Sequence, residues 1–262
     1  MLDAKLETIS INDTIIIEAI VSGEGEAVVL IPGLALDASM FENLYSDLAA
    51  NGYRAIAINM RGTAGSVGPM ENITLHDLAS DVGGVIRALS DGPAHVVGNA
   101  FGNRVARCLA VDHPDLVKSL TLLAAGGLTK IEPDIMEAMQ KLLNPNISEN
   151  EKVEAAKLAL VAPQFDPTPV LQLRWWPTVV RPFMVAEKST PVQDWWNGGT
   201  APILVIQGML DRIAPPENAR ALYDEFGERI EIVELQNTGH AVLFEQPNAV
   251  TQAIVSFLKK NG

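Results

Sequence analysis

An α/β architecture, a doubly wound and mostly parallel sheet with a helical cap inserted into it, is predicted by three observations. Aliphatic and β-branched runs alternate with segments of helical periodicity along most of the chain. Several of those runs are continuously apolar, as befits strands covered by helices on both faces. One long stretch, between Thr129 and Gly199, carries helical segments and no convincing strand. With 262 residues, 48% of them hydrophobic, the chain can bury a sizeable core as one domain with an insertion. The expected division is a core of residues 1–128 and 200–262 and a cap of residues 129–199.

The strand-like runs fall at 14–21 (TIIIEAIV), 27–32 (AVVLIP), 54–60 (RAIAINM), 94–98 (AHVVG), 119–125 (SLTLLAA), 202–208 (PILVIQG) and 229–235 (RIEIVEL). Helical patterns fill the gaps at about 39–51, 74–90, 102–112, 216–226 and 248–260. The first two runs, joined by SGEGE, are expected to open the sheet as an antiparallel hairpin. Within the insertion, Ser148 and Glu151 in SENE form a capping-box pattern that starts a helix. Pro133, Pro145, Pro163, Pro167, Pro169, Pro177, Pro182 and Pro191 cut the region into short pieces, suited to a lid over the sheet's C-terminal edge.

The balance of 19 basic against 32 acidic residues, a net charge of -13, repels nucleic acid and anionic membrane surfaces. The expected partner is a hydrophobic small molecule, with self-association left open. The opening MLDAKLETIS has no basic segment followed by an apolar stretch, and no run approaches the roughly 20 apolar residues of a membrane helix. A soluble cytoplasmic protein is the expectation. The single cysteine, Cys108, excludes an internal disulfide and reads as a core thiol. His76, His95 and His113 read as structural.

The sequence HVVGNAFGNRVAR, residues 95–107, passes from an apolar strand through two glycines into a helix. Gly98-Asn99-Ala100-Phe101-Gly102 fits the nucleophile-elbow pattern G-x-S-x-G in everything except the nucleophile, which is Ala100. The glycines of such a turn let the strand reverse sharply into the helix while its strained central residue stands clear. Farther on, QGMLDRIAPPENA places Asp211 just after a core strand, and NTGHAVLFEQPNAV places His240 after the last strand, before the C-terminal helix.

The order elbow, acid, histidine resembles that of the α/β-hydrolase superfamily, and the likeness runs from the IPG loop to the C-terminal helix. It implies a serine-hydrolase triad with position 100 as attacking residue, His240 as general base and then general acid, and Asp211 fixing the histidine's tautomer. It also implies an oxyanion hole from the backbone N–H groups of Leu34 and Phe101. Two positions depart from the family's pattern: Pro32 stands where a histidine commonly precedes the loop glycine, and Asn59 where an aspartate precedes Arg61-Gly62. Asn59 and Arg61 are expected only to order their loop. GTAGSVG at 62–68 lacks the Lys-Ser/Thr of a phosphate loop, and the histidines and cysteine offer no metal-ligand spacing, so neither cofactor nor metal is expected.

Alanine cannot attack a carbonyl, and loss of a triad serine costs on the order of 10⁶ in turnover. Because the rest of the site is retained, an engineered serine-to-alanine change is the first expectation. A natural binding protein, or cofactor-free proton transfer by His240 and Asp211, are the alternatives. Substrate choice is assigned to the cap, where Trp175, Trp176, Trp195 and Trp196 with Met136, Met139, Phe183 and Met184 would line an aromatic, apolar pocket. That suits a hydrophobic carboxylic ester or lactone. Asn99, also assigned to substrate, resembles the GNS turn of carbon–carbon bond hydrolases acting on ring-cleavage products; their usual tryptophan after the histidine is Ala241 here, so that reaction stands second.

Overall fold

The computed structural model describes residues 4–144 and 146–262. Residues 1–3, part of the segment read for a leader, and Pro145, one of the interrupting prolines, lie outside the described residues. Eight strands, β1 (Lys5–Ser10), β2 (Ile16–Ser22), β3 (Glu26–Ile31), β4 (Tyr53–Ile58), β5 (Ala94–Asn99), β6 (Val117–Leu123), β7 (Ile203–Gly208) and β8 (Ile230–Leu235), form one sheet in the order β1-β2-β4-β3-β5-β6-β7-β8. From β4 to β8 every pairing is parallel.

Alternation along the central strands feeds two cores. On β3, Val29 and Ile31 join the layer beneath α2 (Leu75–Leu89), α3 (Phe101–Asp112) and, farther along the chain, Glu217–Phe226, whereas Val28 and Leu30 join the layer beneath α1 (Glu42–Ala50) and the C-terminal helix Pro247–Lys260. Burial on both faces explains why these strands read as continuous apolar runs rather than alternating ones.

The opening hairpin is a correction. β1 pairs antiparallel with β2, from Lys5 opposite Val21 to Ser10 opposite Ile16, and the turn is at 11–15, where Asn12 Oδ1 accepts from the Thr14 and Ile15 amides at 2.9 and 3.0 Å. SGEGE instead carries the chain from β2 past β4 to β3. Its glycines serve that crossing: Gly23 and Gly25 have φ of 79° and 104°, and a Cβ on Gly23 would lie 2.7 Å from Ala49 Cβ. β1 has no strong strand signal in the sequence because it is an edge strand, KLETIS, with only Ile9 buried. Asn59 and Arg61 do order their loop: Asn59 Oδ1 accepts from the Ala38 amide at 2.8 Å, and Arg61 makes two 2.7 Å hydrogen bonds to Asp81.

Between β6 and β7 the described residues form helices and no strand: α4 (Pro133–Leu142), α5 (Glu149–Ala159), α6 (Thr168–Leu171) and α7 (Val180–Ser189). The capping box at Ser148 is formed, its Oγ accepting from the Glu151 amide at 3.3 Å while Glu151 Oε2 accepts from the Ser148 amide at 2.9 Å. α7 rests on the elbow helix, with Phe183 stacked on Phe101 at 5.2 Å between ring centres and Glu187 Oε1 2.8 Å from Arg104 Nε. The chain closes with α8 (Glu217–Phe226), α9 (Val242–Glu245) and α10 (Pro247–Lys260). Among the described residues no helix is long and apolar enough to cross a membrane.

Candidate active site

Ala100 sits between β5 and α3 with φ 48° and ψ −110°, a conformation that costs a residue bearing a Cβ on the order of 1–3 kcal/mol. Its amide donates to Leu123 O at 2.9 Å, which ties the turn to the end of β6. Gly98 and Gly102 make the turn possible. A Cβ on Gly98 would stand 2.6 Å from Asn103 Cα, and one on Gly102 would stand 2.6 Å from Pro32 O and closer still to Ile31 O. The elbow helix therefore passes directly against the strand that leads to Gly33 and Leu34, and a Cβ on Gly33 would be 3.7 Å from Ala100 Cβ.

Asp211 follows β7 and is 3% exposed. Its Oδ1 accepts from the amides of Ile213 and Ala214, both at 2.8 Å, and its Oδ2 lies 2.9 Å from His240 Nδ1. A carboxylate only accepts, so this contact places the imidazole proton on Nδ1 and leaves the Nε2 lone pair free to take a proton. The backbone donors to Oδ1 fix the carboxylate's orientation toward the imidazole.

His240 stands in the loop after β8, and that loop is clamped from both sides. The Gly239 amide donates to both oxygens of Glu245 at 3.0 Å, the Ala162 amide donates to Glu245 Oε2 at 2.8 Å, and the Ala241 amide donates to Leu160 O at 2.9 Å. Gly208, at the end of β7, admits the loop: a Cβ there would lie 2.7 Å from Thr238 O and closer to Gly239 O. Sequence reading missed Glu245 and Gly208. Nothing local marks Glu245, the last residue of the short helix α9 after the histidine; only the fold shows that it faces the Ala162 amide from a distant segment as well as the nearby Gly239 amide.

Burial pushes the Glu245 carboxyl above the usual range, with the Asp211 charge adding to it and the backbone donors opposing. Between the ordinary and the raised pKa the native state holds a proton that the unfolded chain has lost, so this group makes stability fall as pH rises through that window. Glu245→Gln keeps an acceptor for the two amides and cannot titrate. Urea unfolding from about pH 4 to about pH 8 is expected to show the stability difference between the unaltered chain and the variant shifting toward the variant as pH rises. A difference independent of pH would refute the assignment.

One cavity of about 1170 Å³ is lined by Gly33, Leu34, Asn99, Ala100, Phe101 and His240 from the core and by α4, α7 and their flanks on the other side. The structure thus brings position 100, the Leu34 loop and His240 to one space. Met136, Met139, Trp175, Met184 and Trp195 line it too. Trp176, Trp196 and Phe183, expected among the lining residues, are used otherwise. The Trp176 amide donates to Ala35 O at 2.7 Å and its indole to Asp37 Oδ2 at 2.9 Å, which pins the Leu34 loop from above. Trp196 donates to Glu225 Oε2 at 2.8 Å, and the buried Arg107 guanidinium lies over both Trp195 and Trp196 at 4.6 and 4.9 Å. Phe183 is spent on Phe101. Neighbouring aromatic residues diverge in direction, and the partner of each is set by elements far away in sequence.

Outside this cavity, Cys108 is fully buried, and burial pushes its thiol pKa far up, with Asp112 adding to the shift. His76, Cys108 and Asp112 offer ligand-type atoms within 4.8 Å of one another, which no spacing in the chain announces. Those atoms are engaged among themselves, His76 Nδ1 standing 2.7 Å from Asp112 Oδ2 and 3.3 Å from Cys108 Sγ.

The sheet, the elbow and the Asp–His pair define a class, and the family models agree: the chain belongs to the alpha/beta hydrolase fold family, whose model matches residues 26–162, while a TAP-like protein model matches residues 176–262. Among its relatives, an AB hydrolase superfamily protein, YisY of Bacillus subtilis, is 27% identical over 254 residues, covering 90% of this chain and 92% of its own. The 2-hydroxy-6-oxo-6-phenylhexa-2,4-dienoate hydrolase of Comamonas testosteroni is 25% identical over 260 residues, with 91% and 90% covered. Among solved structures, a thermophilic esterase from Thermogutta terrifontis superposes with a TM-score of 0.80 at 24% identity, covering 98% of this chain and 99% of that one.

Proposed function

We propose that the cavity is the substrate pocket of a serine hydrolase for a hydrophobic carboxylic ester or lactone, silenced at position 100 by a serine-to-alanine change that was engineered into the chain. The observation that carries this is the retention around Ala100 of everything but the hydroxyl. The turn holds a strained backbone that alanine has no use for, and Asp211 Oδ2 stands 2.9 Å from His240 Nδ1. In the competent site a serine hydroxyl would pass its proton to His240 Nε2 as its oxygen bonds to the carbonyl carbon. The oxyanion would be met by the Phe101 and Leu34 amides, and His240 would return the proton to the departing alkoxide. Water would repeat the cycle on the acyl-enzyme.

The protein as it stands should bind such a substrate and not turn it over. Dissociation constants for a naphthyl ester, with Trp175→Ala beside the unaltered chain, test the pocket. The variant is expected to lose about 1–3 kcal/mol, the size of a buried aromatic contact. Unchanged affinity, or no binding at all, would remove the pocket.

Two further readings rest on particular residues. Asn99 before position 100, with the Comamonas relative, favours carbon–carbon bond cleavage of a ring-cleavage product, against which Ala241 counts. Ala100 itself favours proton transfer by the His240–Asp211 pair alone. Turnover with Ala100 present, lost in His240→Ala, would establish the last in place of the hydrolase.

A further inference from the structure

Charge around the cavity runs against the charge of the chain. The protein has 32 acidic and 19 basic residues, yet the cavity is lined by Arg104, Lys130, Arg181 and Lys188 and by one acid, Glu187. Arg104 is matched by Glu187 at 2.8 Å. The other three are exposed, and among the described residues none of them belongs to an ion pair.

Their placement is regular. Arg181, Met184, Val185 and Lys188 follow the i, i+3, i+4, i+7 spacing on α7, so they share one helix face, and all four line the cavity. Met184 is 45% and Val185 49% exposed. The mouth of the cavity is therefore an apolar strip bracketed by two cations, with Lys130 a third at the rim, while the interior below is mainly Leu, Met, Val and Trp side chains. A neutral apolar ligand would use the interior and leave the bracket idle.

Resting on the reading of this cavity as the hydrolase pocket, we infer that its substrate is an ester of a hydrophobic molecule that also carries a remote carboxylate, the apolar body filling the interior and the carboxylate standing at the mouth among Lys130, Arg181 and Lys188. Exposed cations cost little desolvation to hold and give a modest attraction that salt weakens. The apolar body supplies most of the affinity. The charge fixes direction: with the carboxylate held at the mouth, the ester end is the one delivered to position 100.

Mono-p-nitrophenyl suberate and p-nitrophenyl octanoate share a chain length and differ at the far end in carboxylate against methyl. Binding of each to the Ala100 protein can be followed by quenching of tryptophan fluorescence, since Trp175 and Trp195 line the cavity. The carboxylate ester is expected to bind at least about fivefold more tightly at about 10 mM salt and to approach parity at about 0.5 M. In the Arg181→Gln, Lys188→Gln double variant the ratio should fall to about one at low salt. Equal binding of the two esters by the unaltered protein would overturn the inference and leave the hydrolase reading standing. Binding of neither would overturn both, and a preference that survives in the double variant would overturn the assignment to α7.

Discussion

Ala100→Ser is expected to raise hydrolysis of an activated short-chain ester at least about 10³-fold, well inside the roughly 10⁶ that a triad serine contributes. The backbone needed is present, since position 100 already has the elbow geometry with φ 48° and the flanking glycines already admit the helix. The proposed base is also placed for the task, because the Asp211 contact to Nδ1 frees His240 Nε2. What is absent is an oxygen within reach of that nitrogen, about 2.6–3.2 Å. A fluorophosphonate probe should label the new serine and leave the Ala100 protein unlabelled. Adding His240→Ala or Asp211→Asn should remove most of the gain, because the members of such a unit are far from additive. A folded serine variant that hydrolyses no ester or lactone and takes no probe would show that the site is not a silenced triad.

Gly208→Ala, placed in the serine variant, is expected to cost about 100-fold in kcat, the order of loss that a misplacement near 1 Å brings. The added methyl would meet Thr238 O at 2.7 Å and Gly239 O closer still, so the loop carrying His240 must move away from the strand that leads to Asp211. That motion is resisted by the Glu245 bonds to the Gly239 and Ala162 amides, so strain is also expected as a loss of stability on the order of 1–3 kcal/mol, read by urea unfolding. Activity separates a positioning effect from simple destabilisation. A variant that unfolds earlier in urea but keeps full kcat well below its unfolding transition would show that Gly208 serves the fold and not the placement of His240.

The alternation of apolar runs and helical periods was enough to give the sheet class, because strands buried on both faces must be apolar throughout and the helices covering them must be amphipathic. The elbow, Asp211 and His240 were also legible, since each is tied to a short motif with a backbone requirement that only certain residues meet. Strand order was not. Whether β2 lies beside β3 or β4 depends on non-local pairing, and SGEGE looks the same as a hairpin turn and as a crossing connection. The lining of the cavity was legible in part. Met136, Met139, Trp175 and Trp195 were assigned to it from composition, but Trp176, Trp196 and Phe183 turned to partners at Asp37, Glu225 and Phe101. Local pattern was enough to say which chemistry-bearing residues exist and on which kind of element each sits. What each one faces is set by the folded chain: Glu245 holds the histidine loop, Gly208 lets it approach β7, and three cations without an ion-pair partner among the described residues line one cavity. Those facts depend on contacts between segments far apart in the chain, which no local pattern encodes.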